Sequence, residues 1–230
     1  YRSVIEHPRW IPEDRLKELD VRGGADKGRI YRVLPRGQRV RKIPNLTSLP
    51  TSSLASKLES PNGILRDLIH RTLVFRNDSS ANPTLTRLNR SSKNAAVRIQ
   101  ALACLSHLGG LNESVLLDAL RDAAPEVRCH AIRLSERFHP NSRIEKQLAS
   151  MAEDTNSHVS YQLALSLGYR EDGEAGKALG KIATRANDPW LRAAVLSSSS
   201  HHASTILAGL ARSNSRIENN TELAGQLLGL

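Results

Sequence analysis

The chain has 230 residues, 39% of them hydrophobic but only 3% aromatic, and its 33 Lys/Arg against 23 Asp/Glu give a formal net charge of +10. That length allows one or two domains with a sizeable core, which Leu and Ala must fill, as they do where helix packs on helix. No run approaches the ~18 apolar residues of a membrane span, the start is not that of a signal peptide, and two cysteines are too few for a disulfide framework. The chain opens on Tyr1 without a Met and reads as a piece cut from something longer.

The charge is unevenly placed. Residues 1–48 carry 12 Lys/Arg against 6 Asp/Glu, whereas the remaining 182 residues carry 21 against 17. Arg29, Arg32, Arg36, Arg39, Arg41 and Lys42 follow one another with no acid between them. Basicity is therefore mostly a property of one segment, a candidate for phosphate or partner contact.

Residues 1–48 are rich in Pro, Gly and Arg. Pro8 and Pro12 favour extended or turn backbone around Trp10, and Glu13 to Leu19 reads as a short helix. Gly28 to Leu34 places Ile30 and Arg32 on one face and Tyr31 and Val33 on the other, which predicts one strand. A lone strand must meet its hydrogen bonds elsewhere, through water, the solenoid, or another copy of itself. Pro44 to Pro50 reads as a linker.

From residue 49 the pattern becomes repetitive. Leu65-Arg66, Val97-Arg98, Val127-Arg128, Val159-Ser160 and Leu191-Arg192 recur at intervals of 32, 30, 32 and 32 residues, each just after a turn. A period of this size marks a solenoid. Val97, Ala101, Cys104, Leu105 and Leu108 line one helical face, and Val127, Ala131, Leu134 and Phe138 follow suit. Apolar pairs precede each turn: Leu54 and Leu58, Leu85 and Leu88, Leu116 and Leu120, Ile144 and Leu148, Leu179 and Ile182, Ile206 and Leu210. One pair cannot bury both stripes, so neighbours must stack into a shared core. The predicted architecture is an all-α, right-handed α-solenoid of about five to six helix pairs over 49–230, its last unit, near 217–230, shorter than the rest.

No motif for catalysis or a cofactor emerges. Cys129-His130 has Glu126 where a haem-attaching cysteine would stand, which leaves two helical cysteines. The eight histidines never set two ligands on one helical face. Gly23-Gly24 and Gly109-Gly110 read as turns, and Ser197 to Ser200 lacks a nucleophile context. The expectation is no enzyme activity, no metal and no cofactor.

The repeat resembles the HEAT family in its unit length, its turn Asp and the Val-Arg opening its second helix. The resemblance implies a hydrogen-bonded ladder of turn Asp and Arg between repeats, here Arg66, Arg98, Asp122, Arg128, Asp154 and Arg192, interrupted by Ser160. Physically, an Arg fork can bridge adjacent turns with up to five donors.

The stretch from Tyr1 to Pro12, then Leu19-Asp20-Val21-Arg22, then Asp26 to Val33, is similar to the region after the β-propeller in multidomain planctomycete proteins labelled membrane-bound dehydrogenases. That resemblance implies a propeller, then HEAT repeats, then a cytochrome c domain, in the periplasm or cell envelope. This chain lacks both the propeller body and a haem motif, so the activity does not carry over to its residues. The resulting expectation is a non-catalytic scaffold or spacer whose partners are proteins or neighbouring domains of the same chain, with a homodimer through residues 1–48 as a further option. The alternative is nucleic-acid binding, since some HEAT-like proteins are DNA glycosylases. That role needs aligned cations and stacking aromatics, which the weak charge excess of the solenoid disfavours.

Overall fold

A computed structural model of the chain describes residues 8–20, 28, 30, 31, 33–39, 44–213 and 217–229. The chain divides into two compact units, 1–44 and 45–230. The division falls slightly ahead of the boundary read from the sequence, and Arg76 gives the reason. Its guanidinium donates to the carbonyls of Leu46, Thr47 and Leu49, which ties the end of the linker to the helical unit.

In the first unit a 3-10 turn, Pro8–Trp10, precedes helix α1, Glu13–Glu18. The guanidinium of Arg9 lies 5.2 Å from the centre of the Trp10 ring. Helix α1 buries none of its side chains. None of the described residues between 28 and 34 is in a strand, contrary to the sequence expectation, and Ile30, Tyr31 and Val33 are exposed. Period-2 alternation alone does not make a strand, because the ladder needs a second one, and the described residues supply none. Arg36 and Gly37 form a turn in which Gly37 takes φ 85°, a conformation that glycine adopts without steric cost.

Among the described residues the second unit is six helix pairs. They are α2 (Thr51–Ser56) with α3 (Gly63–Arg76), α4 (Asn82–Ser91) with α5 (Ala95–His107), and α6 (Glu113–Leu120) with α7 (Pro125–Ser135). The others are α8 (Ser142–Ser150) with α9 (Ser157–Leu167), α10 (Gly173–Ala183) with α11 (Pro189–Ser197), and α12 (Ala203–Arg212) with α13 (Ile217–Leu228). The final second helix is as long as the others, where the sequence suggested a shorter unit. No helix among the described residues is long and apolar enough to cross a membrane.

Caps define where the second helices start. The side chains of Asn62, Asn94, Asn156 and Asp188 accept from backbone N–H groups in the first turns of α3, α5, α9 and α11, satisfying donors that a helix leaves orphaned. Helix α7 has Ala124 at that position and starts with Pro125 at a position where no N–H is needed. Asp122 there accepts from the Ala124 N–H instead, at 2.8 Å.

Two layers result, first helices against first helices and second against second along the stack. All twelve apolar residues that precede the turns are buried, as are Val97, Ala101, Cys104, Leu105, Val127 and Ala131. Leu134 and Phe138 are half-buried, packed on the edge of the same core. The core is continuous from Leu54 to Leu227, so each pair is stabilised mainly by its neighbours. Helices α10 and α12 approach closely through glycines, since a Cβ built on Gly209 would lie 3.2 Å from the Gly180 Cα.

Candidate functional site

The turn between first and second helices is built the same way five times. The residue that opens each second helix donates to the carbonyl six residues before it: Arg66 to Ser60, Arg98 to Ser92, Arg128 to Asp122, Ser160 to Asp154, and Arg192 to Ala186. The bonds run from 2.7 to 3.2 Å. Each one closes a turn within its own repeat.

Two of these arginines also reach the turn aspartate of the next repeat. Arg98 makes a bidentate pair with Asp122, both bonds at 2.7 Å, and Arg128 makes one with Asp154 at 2.9 and 3.0 Å. The paired side chains are only 11–17% exposed, so the ion pairs are poorly screened by water. The Asp122 hydrogen bonds raise the Arg98 pKa further, against the opposing effect of burial. Arg128 thus takes the Asp122 backbone carbonyl, while the Asp122 carboxylate belongs to Arg98.

Elsewhere the ladder thins out. Arg66 faces a repeat with Ser92 in place of the acid, and its buried Nε has no partner. Between the fourth and fifth repeats both halves are absent, with Ser160 for the Arg and Ala186 for the Asp. Arg192 pairs at 3.3 Å with Glu222 of α13, which is exposed.

The opposite edge of the stack, where second helices return to first helices, holds a site that the sequence reading missed. Arg170 is the largest fully buried side chain, 2% exposed. It donates to the Ser135 carbonyl at 3.3 Å, lies 3.3 Å from His139 Nδ1, and lies 3.5 Å from Glu145 Oε1. Its own carbonyl accepts from Nε2 of the buried His202 at 2.6 Å. One residue thereby connects the ends of α7 and α9 with the loops before α8 and α12. Burial pushes the Arg170 pKa down, and Glu145, Asp172 and Glu136 oppose that shift.

His139, Glu145 and Asp172 bring three donor atoms within 4.8 Å of one another, the spacing of a metal site. Arg170 argues against a cation there, because its guanidinium already supplies the positive charge between His139 and Glu145. Glu145 and Asp172 read as the counter-charge of a buried arginine, with His139 as a hydrogen-bond partner.

Burial is the largest cause of the shifts at both thiols and at His70 and His130. Cys104 is pushed up to about 12 by desolvation and contacts His70 Nδ1 at 3.6 Å. Cys129 is also raised, first by burial, with Asp154 and Glu126 adding to it and Arg128 opposing. A thiol kept protonated is a poor nucleophile. Burial lowers the pKa of His70 and of His130, whose Nε2 has no partner.

The second-helix layer carries an open groove of about 860 Å³ across the starts of α7, α9 and α11. Glu126, His158, Tyr161, Asp188 and Trp190 line it, all of them exposed. Trp190 is 74% exposed and Tyr161, on the same groove, 40%. The groove spans the interval where Ser160 and Ala186 interrupt the ladder.

Of the basic segment, Arg36 and Arg39 are described and exposed. Arg29, Arg32, Arg41 and Lys42 lie outside the described residues. An Asn or Asp stands four residues before the second-helix Arg or Ser at 62, 94, 156 and 188, a cap signal legible in the sequence and broken by Ala124. Arg170 has no such signal, since its partners come from three different loops and helices.

Fold and site together define an all-α helical-repeat protein, a stack of paired helices that offers contact surfaces. Residues 113–200 match the family described as HEAT repeats, from the first residue of α6 to just beyond α11. HEAT repeats commonly mediate protein interactions, and the groove lies entirely within the matched stretch. Residues 1–37 match a domain of unknown function, DUF7133. No curated protein matches the chain.

Proposed function

We propose that the helical unit is a non-catalytic docking module and that its working surface is the groove at the starts of α7, α9 and α11. The observation that carries this reading is Trp190, a large ring exposed beside Tyr161 in a concave site. Aromatic residues are enriched at the energetic centres of protein interfaces. The arginines that would attract nucleic acid are otherwise engaged: Arg66, Arg98, Arg128 and Arg192 each donate to a turn carbonyl, and Arg98 and Arg128 also bind carboxylates. Both observations favour a protein partner.

The test is affinity capture with the full chain and with Trp190→Ala and Tyr161→Ala variants of unchanged melting temperature. A protein enriched by the parent chain and lost with both variants supports the groove. Capture indifferent to both substitutions removes it as the working surface.

The parent, on this proposal, is a larger multidomain redox protein of the type that the N-terminal stretch resembles, with the helical stack as spacer and docking platform. Residues 1–44 would contact a neighbouring domain through the exposed Ile30, Tyr31 and Val33. Flanking genomic sequence decides this: a propeller upstream and a Cys-x-x-Cys-His motif downstream support it, and unrelated flanks refute it.

A further inference from the structure

The docking proposal leaves the chemistry of the partner open, and the lining of the groove narrows it. The chain is basic, yet none of the residues lining this groove is a lysine or an arginine. Its charged groups are the carboxylates of Glu126, in the first turn of α7, and Asp188, the N-cap of α11. Glu126 forms no ion pair or hydrogen bond among the described residues. Asp188 uses one carboxylate oxygen on the Leu191 N–H at 2.9 Å. The nearby Arg128 is neutralised by Asp154, and Arg192 is turned to the Ala186 carbonyl and Glu222.

Beside these carboxylates stand two exposed rings, Trp190 and Tyr161. A ring face attracts a cation, and arginine stacks on it more readily than lysine because its guanidinium is planar and weakly hydrated. The helix starts beneath the groove add partial positive charge of about half a unit each. Full charges on Glu126 and Asp188 offset them, and both acids sit at the helix ends where that dipole is strongest. Asn156 and Gln162, on the same wall, offer amide groups to the backbone of an extended chain.

We infer that the groove takes an extended, arginine-bearing protein segment, with one guanidinium stacked on Trp190 or Tyr161 and successive arginines paired with Glu126 at one end and Asp188 at the other. This inference rests on the groove being a docking surface and adds the partner's charge. It makes the site selective against acidic chains and against nucleic acid, whose phosphates the same carboxylates repel.

Trp190 reports on its own site. The chain has two tryptophans, so Trp10→Phe in the full chain leaves Trp190 as the only indole. The probe is the peptide acetyl-Arg-Ser-Arg-Ser-Arg-Ser-amide, titrated at pH 8, above the ordinary range of histidine titration, with its Glu-for-Arg counterpart as control. The expected result is a saturable shift of Trp190 emission with the arginine peptide only, weakened by raising salt from 0.05 to 0.5 M. Glu126→Gln with Asp188→Asn should weaken binding by up to about tenfold through the loss of two exposed ion pairs, while Asn preserves the helix cap. Should that pair perturb the fold, Glu126→Gln alone, at an exposed position, carries the comparison.

A shift unchanged by neutralising the carboxylates, or no shift at saturating arginine peptide, overturns the inference. An equal shift with the glutamate peptide overturns it too, yet leaves the groove as an interface. A single-stranded oligothymidine that shifts Trp190 and displaces the peptide overturns both this inference and the protein-docking proposal.

Discussion

At the edge where first helices turn into second helices, Arg98 and Arg128 each span from one repeat to the next through a bidentate carboxylate pair at the protein surface. At the opposite edge a single arginine, Arg170, just after α9, is buried against Ser135 at the end of α7, His139 in the loop before α8 and Glu145 of α8, and its carbonyl accepts from His202 in the loop before α12. The first device is periodic and modular. The second occurs once and gathers three loops. The ladder lapses between the fourth and fifth repeats at Ser160 and Ala186, and across the other edge the Arg170 carbonyl at the end of the fourth pair bonds His202, which follows the fifth. The difference teaches that a repeat stack can lose an inter-repeat link on one edge while a different chemistry links those repeats on the other, leaving the vacated turn surface available as a groove.

The largest expected effect tests the buried edge. Arg170→Met keeps much of the volume but leaves Glu145 and Asp172 facing each other without their cation. Removing one partner from a buried ion pair costs about 3–5 kcal/mol, and denaturant unfolding should show a loss of that order. A loss below about 1 kcal/mol would mean that the buried arginine is incidental.

Arg128→Ala tests the ladder edge. The side chain gives up bonds to the Asp122 and Ala123 carbonyls and both bonds to Asp154. Charged hydrogen bonds contribute about 1.5–3 kcal/mol each when net, and at 17% exposure the lower half of that range is expected for the whole change. Arg9→Ala, which removes only an exposed contact over Trp10, should stay within about 0.5 kcal/mol. Equal melting temperatures for the two variants would discard the ladder as a stabilising element.

Rebuilding the missing rung sharpens the comparison. Ser160→Arg combined with Ala186→Asp restores both halves of the pair, whereas either substitution alone places an unpaired charge at a nearly buried position. The expected outcome is a favourable coupling of about 1 kcal/mol in a double-mutant cycle. Strict additivity would show that the geometry at this junction no longer admits the pair.

The smallest effect is on pH. His70 and His130 have pKa values lowered by burial, so the unfolded chain binds their protons first as pH falls below about 6.5. Their contribution to stability is complete above that pH and declines beneath it. Melting temperature should therefore drop between pH 7.5 and 5.5 by under about 3 °C, and less in a His70→Gln, His130→Gln double variant. An identical drop in both proteins would assign the pH dependence to other groups.

The ladder and the buried edge differ as much in legibility as in chemistry. Val-Arg and Leu-Arg at near-constant intervals, and the apolar pairs before each turn, predict two helical layers, because helical periodicity and a fixed repeat length force the same contacts again and again. The exposed strand expected at Gly28 to Leu34 shows the limit of such patterns. Alternation states which faces a strand would have, but pairing depends on a second strand that the pattern cannot supply.

What the sequence alone determined was the repeat, its core and the columns that hold Asp and Arg, since these follow from local periodicity along the chain. Only the tertiary structure decided that Arg98 reaches Asp122 while Arg128 reaches Asp154, because which neighbour a long side chain meets depends on how the helix pairs stack. It also decided that Arg170 is buried and that Trp190, Tyr161 and Glu126 share a groove. Those residues are some thirty apart in sequence with no pattern of their own, and they meet because three consecutive second helices start side by side.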